Sequence, residues 1–185
     1  MTVVISLIPG MIWCGWKSLL CSEMKKMTLR PFLPSDALEI LSWCTTKREF
    51  RLWSADRYKD FPAKPEDMLM QYEGDNIFPF TAIVEDRVVG HIILRYPTSD
   101  NTLIRFGFII VDNSLRGKGY GKEMLRLVID YAFHELDAKK ITLGVFKENL
   151  SALNCYKSVG FRIVGEDSYP IDGEEWKGVE MEYSI

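Results

Sequence analysis

Residues 114–122 read SLRGKGYGK, with three glycines at alternate positions among cations, directly ahead of a strongly helical run. Glycine costs about 1 kcal/mol relative to alanine inside a helix, so three together require a reason. The helical run is amphipathic: Leu125, Val128, Ile129, Ala132, Phe133 and Leu136 recur at spacings of three and four and share one face. The stretch ahead of the glycines, LIRFGFIIV over residues 103–111, is a β-branched and aromatic run that reads as a buried strand. A turn between such a strand and helix presents backbone N–H groups at the positive end of the helix dipole, and glycine lets an anion approach them. Arg116, Lys118 and Lys122 supply charge of the matching sign. One glycine would serve an ordinary helix entry; three flanked by cations point to an anion cradle, above all for a pyrophosphate.

Two familiar phosphate motifs do not fit. Gly117 to Gly121-Lys122 is one residue short of the P-loop spacing, and Glu123 stands where that motif needs a hydroxyl for magnesium. The dinucleotide fingerprint G-x-G-x-x-G differs from the G-x-G-x-G found here. The stretch does resemble the Arg/Gln-x-x-Gly-x-Gly/Ala coenzyme A pyrophosphate loop of the GNAT family of N-acetyltransferases, through Arg116, Gly119 and Gly121. A second segment, KENLSALNCYKSVGF at 147–161, resembles that family's Asn-x-x-Ala-x-x-x-Tyr-x-x-x-Gly-Phe pattern through Asn149, Ala152, Tyr156, Gly160 and Phe161. Local chemistry agrees, since Asn149 or Ser151 can cap a short helix that Gly160 ends. The resemblance covers 103–165 most fully. Residues 29–53, with Asp36 before a first helix and Trp43 within it, resemble the ribosomal-protein N-terminal acetyltransferase branch. Similar openings occur in relatives acting on polyamines, amino acids and aminoglycosides.

The remaining chain reads as alternating strands and helices. We expect a strand over 27–32, helical segments over 35–59 and 65–73, and a hairpin over 79–97 turning at Glu85-Asp86-Arg87. Asp36 suits the cap or first turn of the first helix. After the strand 103–111 come a helix 119–137, a strand 140–146, a helix 150–158, and strands near 161–166 and 178–184 around Asp172-Gly173. That order gives an α/β domain on one central sheet. The resemblance implies a mixed, mostly antiparallel sheet flanked by helices, whose two parallel central strands splay apart to admit the cofactor.

A chain of 185 residues with 47% hydrophobic residues and a formal charge of −3 suits one ordinary soluble domain. No arginine-rich stripe points to nucleic acid, and no apolar run reaches the roughly 18–20 residues of a membrane span. The cysteines at 14, 21, 44 and 155 show no C-x-x-C spacing and the two histidines no ligand cluster, so no metal site and a reducing cytoplasm are expected. Residues 1–23 are apolar, carry no cation before Lys17 and break at Pro9-Gly10, unlike a secretory signal. We expect a non-catalytic appendage on a domain spanning 24–185, with tryptophans suited to forming a homodimer.

The resemblance implies roles for particular residues. Acetyl-CoA, the co-substrate, would lie along the strand ending at Val111, against the backbone of Ile109 and Val111. Its pyrophosphate would sit on the amides of Arg116, Gly117, Lys118, Gly119, Tyr120 and Gly121, beside Lys122, with Asn149 and Ala152 also holding the cofactor. A backbone N–H near Ile109 or Ile110 would stabilise the developing oxyanion. Tyr156 would protonate the departing thiolate, although an aromatic at helical spacing is usually core. The acceptor would be a primary amine, on a small molecule or a protein N-terminus, attacking directly; Cys155 reads as a small helix residue. No base is legible: the strand carries no carboxylate before Asp112, which reads as shaping the loop, and Glu85 and Asp86 read as an exposed turn. Glu49 and Asp56 are either substrate contacts or solvated charges, and Trp43, Phe50 and Trp53 either line an acceptor pocket or pack between helices. The competing class is a CoA-binding or CoA-sensing module of the same fold that does not catalyse.

Overall fold

β-rich runs joined by two-residue turns pair with their neighbours, and the computed structural model, describing residues 26–184, shows them in one seven-stranded sheet. The strands are β1 (Thr28–Pro31), β2 (Ile77–Val84), β3 (Arg87–Arg95), β4 (Leu103–Val111), β5 (Lys140–Phe146), β6 (Arg162–Ile171) and β7 (Glu174–Ser184). The helices are α1 (Ala37–Ser42), α2 (Lys47–Ser54), α3 (Pro65–Met70), α4 (Tyr120–His134) and α5 (Leu150–Ser158). Sheet order is β1-β2-β3-β4-β5-β7-β6, antiparallel except between β4 and β5. This is the mixed, mostly antiparallel sheet that the resemblance implies. Residues 1–23 and the appendage expected there lie outside the described residues.

Turn chemistry sets the two hairpins. Glu85 and Asp86 both have positive φ (49° and 62°), as do Asp172 and Gly173 (51° and 83°), the geometry that matches the right-handed twist of flanking strands. The second hairpin is longer than its sequence suggests. Its far end is held by a small cluster in which Phe146, Ile171 and Trp176 are buried, so β6 and β7 run on to the turn at Asp172-Gly173.

β4 and β5 pair only through Leu103–Arg105 and Lys140–Thr142, and then part. The register between β3 and β4 shifts between His91 and Ile93, where Phe108 takes a φ of +48°. An inserted residue of this kind bends its strand. The sheet therefore opens at its centre, on the side where α5 approaches.

Helices cover both faces. On one, Met124, Leu125 and Val128 of α4 and Tyr156 of α5 pack on Ile92, Leu94, Ile104 and Phe106. On the other, Ile40, Phe50 and Met68 of α1–α3 pack against Val88 and Ile110. The helical run expected over 35–59 is two helices. Its break was marked in the sequence by Thr46 and Glu49: the Glu49 N–H donates to Thr46 Oγ1 at 3.2 Å, and Glu49 Oε2 accepts from the Thr45 N–H at 3.0 Å, which starts α2 afresh.

Asp36 stands at the N-cap position of α1, within a short 3-10 turn ahead of it, but its side chain makes no capping bond to α1. Its carboxylate accepts two hydrogen bonds from Arg30 (2.6 and 2.8 Å), one from the Leu33 N–H (3.0 Å) and one from the Thr81 hydroxyl (2.9 Å), tying β1, the turn and β2 together. Burial pushes its pKa up, but these donors outweigh burial and hold it below the usual carboxylate range. The stabilisation is therefore complete above the unfolded value near pH ~4 and is lost as pH falls through the lower folded value. Asp36→Asn is expected to destabilise the domain by about 2–4 kcal/mol and to flatten that acid limb, as read by urea melts across pH.

Candidate functional site

The glycine-rich turn is built from β4 outward. Asp112 shapes it as expected: its Oδ1 accepts from the Ser114 N–H at 2.8 Å and its carboxylate pairs with Arg87. A single 3-10 turn over Asn113–Leu115 comes next, and the chain then swings through Gly117 (φ +76°) and Gly119 (φ +91°), the latter capping α4. No carbonyl or side chain among the described residues accepts from the N–H groups of residues 117–121. A Cβ placed on Gly117 or Gly119 would meet nothing within 4 Å, so the space before these donors is open. That suits a pyrophosphate, which needs several converging N–H groups and bare backbone to approach. Gly121 differs from them: a Cβ there would stand 3.5 Å from Cys155 Sγ and 3.7 Å from Val111 Cγ2, ordinary contact distances, so the packing of α4 on α5 and β4 has room for an alanine but not for a larger side chain.

From the turn a cavity of about 590 Å³ runs along β4 to α5. Ile109, Ile110 and Val111 form one wall, the turn and Lys122 form the end, and Asn149, Ala152 and Tyr156 form the other wall. Ile110 buries its side chain in the α1–α3 layer, which leaves its backbone toward the cavity. Beyond Arg105 the edge of β4 that faces β5 has no strand partner. Lys118 is the one expected cofactor-binding residue outside the lining, its Nζ turned back onto the Ser114 carbonyl at 3.0 Å.

Asn149 caps α5, its Oδ1 accepting from the Ala152 N–H at 3.2 Å; Ser151 is exposed. Tyr156, 6% exposed, packs edge-on to Phe161, and burial pushes its phenol above the ordinary tyrosine range, so it holds its proton at neutral pH. Burial also raises the Cys155 thiol, with Lys122 opposing, which suits its reading as a helix residue and not a nucleophile.

A second, smaller chamber of about 210 Å³ lies in the opening between β4 and β5. It shares Leu52, Trp53, Ile109, Asn149 and Tyr156 with the larger cavity. Tyr156 thus stands where two chambers meet. Of the three aromatic residues weighed for an acceptor pocket, Trp53 lines both chambers, whereas Trp43 and Phe50 are core at 5% and 1% exposure. Asp56 lines the smaller chamber; Glu49 lines the larger one with its carboxylate engaged by Thr45. Sequence reasoning missed Arg57, Arg95 and Arg105, which also line the smaller chamber. Arg95 and Arg105 were signalled by a cation set in each of the largely apolar runs VVGHIILR and LIRFGFIIV, whereas Arg57, in the polar stretch SADRYKD, carried no such signal. Among the described residues no cluster of metal-ligating side chains occurs, and no helix is long and apolar enough to cross a membrane.

Comparison with known proteins agrees with this architecture. Residues 40–161 match the acetyltransferase (GNAT) family. The chain is 30% identical over 151 residues to a probable N-acetyltransferase, YjcK, of Bacillus subtilis, covering 76% of this chain and 83% of that protein. It is 33% identical over 95 residues to the N-acetylaspartate synthetase of Danio rerio, covering 51% of this chain but only 33% of that protein. The crystal structure of the spermidine N-acetyltransferase from Vibrio cholerae in complex with CoA and spermine shares the fold, with a TM-score of 0.71 at 21% identity, covering 85% of this chain and 95% of that one. Because the family match takes in both the glycine-rich turn and the Asn149–Phe161 segment, the chain belongs to the GNAT family of acetyltransferases.

Proposed function

We propose that the protein moves the acetyl group of acetyl-CoA onto the nitrogen of a primary amine by direct attack. The observation that carries this reading is the position of Tyr156, a protonated phenol at the junction of a cofactor-sized cavity and a smaller chamber. In this reading the free N–H groups of the turn, with Arg116 and Lys122, hold the pyrophosphate. The pantetheine arm then runs along the unpaired edge of β4 at Ile109 and Val111, which brings the thioester to Tyr156.

The amine enters from the smaller chamber. Its lone pair forms the N–C bond as the C–S bond breaks; the phenol gives its proton to the leaving thiolate, and the nitrogen loses a proton to water, which restores the phenol. The irregular register at Phe108 and Ile109 supports a backbone N–H there as the oxyanion donor. No side chain is assigned as general base, since β4 carries no carboxylate and Asp112 is paired with Arg87.

The volume of the inner chamber favours a small-molecule amine over a protein N-terminus, the acceptor that would go with the ribosomal-protein branch. Among the relatives, the N-acetylaspartate synthetase is named for the acetylated form of a small-molecule amine. The free thiols of Cys44 and Cys155 fit a reducing compartment such as the cytoplasm.

Incubation with acetyl-CoA and a panel of amines should release free thiol and add one acetyl mass to the true acceptor. Tight CoA binding with no transfer to any amine would instead support a CoA-sensing module. The same reading makes residues 1–23 dispensable: a chain starting at Met24 should keep its CoA affinity by calorimetry, and a folded, truncated protein that lost it would put the appendage in the site.

A further inference from the structure

In the register of β3 and β4, Arg95 stands directly opposite Arg105. Like charges facing one another across an antiparallel pair repel. One of the two is answered. Arg105 donates from Nη1 to Glu180 Oε2 at 2.8 Å and from Nη2 to Oε1 at 2.6 Å, so its fork occupies both carboxylate oxygens. Gly144 leaves room for this pair, since a Cβ there would lie 3.0 Å from Arg105 Nη2. Arg95 has no ion pair of its own among the described residues, although it is half-buried. Arg57, just beyond α2, lines the same chamber, also without an ion pair among the described residues.

Charge in this chamber is therefore out of balance. With Arg105 neutralised by Glu180, the lining offers Arg57 and Arg95 against the single carboxylate of Asp56. Burial, together with Arg57 and Arg105, pulls the Arg95 pKa down, against a smaller opposing pull from Glu180. A half-buried guanidinium among its own kind weakens the fold, and such local violations belong at sites where a ligand supplies the missing group. The planar fork of arginine matches a carboxylate in a two-point contact.

We propose that Arg95, aided by Arg57, receives the carboxylate of a small amino-acid-like acceptor, so that the enzyme acetylates zwitterionic amines and disfavours polyamines. The proposal rests on the acetyl-transfer reading above. With the carboxylate at Arg95, the acceptor's amine extends toward Ile109 and Tyr156, which line the same chamber. Asp56 is the chamber's counter-charge for the ammonium form before it loses its proton. A polyamine brings several positive charges to a wall already in positive excess, and at this range that repulsion opposes entry.

The test uses the full chain, acetyl-CoA, the common L-amino acids each paired with its α-amide, and spermidine, with thiol release followed in each case. At least one acid should be turned over with kcat/KM roughly tenfold or more above its amide and above spermidine, although the amide has the less basic and more readily neutral amine. Arg95→Gln should raise KM for that acid by roughly 10–100-fold, the loss of one charge-assisted contact, and leave KM for acetyl-CoA unchanged. Arg95→Lys should recover part of the preference. Because Arg95 has no pair to lose, the melting temperature of Arg95→Gln should not fall.

Equal or better use of amides or spermidine, or an unchanged acid preference in Arg95→Gln, overturns the proposal. Calorimetry separates it from the reading beneath it. Acetyl-CoA binding with no amino acid bound or acetylated defeats the carboxylate site alone, whereas failure to bind acetyl-CoA defeats both.

Discussion

Tyr156→Phe is expected to lower kcat by roughly 10²–10⁴-fold while leaving KM for acetyl-CoA unchanged. Phenylalanine keeps the ring that packs on Phe161 and fills the 6%-exposed position, so the variant removes only the hydroxyl. The effect falls on kcat because the proton is needed only as charge develops on sulfur, a transition-state interaction of about 3–5 kcal/mol. Burial raises the phenol's pKa, so it stays protonated beyond the ordinary tyrosine range, and the wild-type rate should show no alkaline fall from this group near or below pH ~10. Steady-state kinetics with one identified amine, under conditions where chemistry limits turnover, provide the check. A kcat within a factor of about two of wild type would return Tyr156 to a packing role.

Gly119→Val is expected to weaken CoA binding by roughly 100-fold or more. Two causes act together. The φ of +91° at the start of α4 is one that a β-branched residue reaches only with strain of about 1–3 kcal/mol, so the turn should relax and swing its N–H groups away. The valine methyls would also stand in the open space before those donors, where each charge-assisted hydrogen bond to phosphate is worth about 1.5–3 kcal/mol. Gly121 behaves differently although it belongs to the same motif. A Cβ there meets Cys155 and Val111 at ordinary contact distance, so Gly121→Ala should bind CoA nearly as wild type does, and Gly121→Val should act through helix packing. Calorimetry with CoA on variants of unchanged circular dichroism distinguishes these outcomes. A folded Gly119→Val protein with wild-type affinity would remove the pyrophosphate from this turn.

The parts of the molecule that were legible in sequence are those whose determinants are local. The strands at 103–111 and 140–146 and the helix at 150–158 match their expected limits, because turn and cap residues such as Asn149 and Gly160 bound them. The glycine-rich turn was legible for the same reason: its donors, glycines and cations occupy a few consecutive positions. The inner chamber was not. Arg105 meets Glu180 across 75 residues of chain, and Arg95 faces Arg105 only once the register between two strands is fixed. The positive φ of Phe108 also escaped notice, since aromatic residues seldom adopt that region and only the neighbouring Gly107 hinted at irregularity. Between α1 and α2, a continuous helical composition hid a break that Thr46 and Glu49 had marked.

The short pairing of β4 with β5 makes the sheet two stiff plates, β1–β4 and β5–β7, stitched along a seam of three residues from each strand. Arg105 and Glu180 act as a bolt across that seam, just where the stitching ends. A ligand whose amides lie against the free margin of β4 supplies rungs that the backbone omits, so occupancy and cohesion of the plates form one coupled equilibrium. Such rungs would add to the single apolar core that already joins the plates, in which Ile92 and Ile104 lie with Ile141 and Met181.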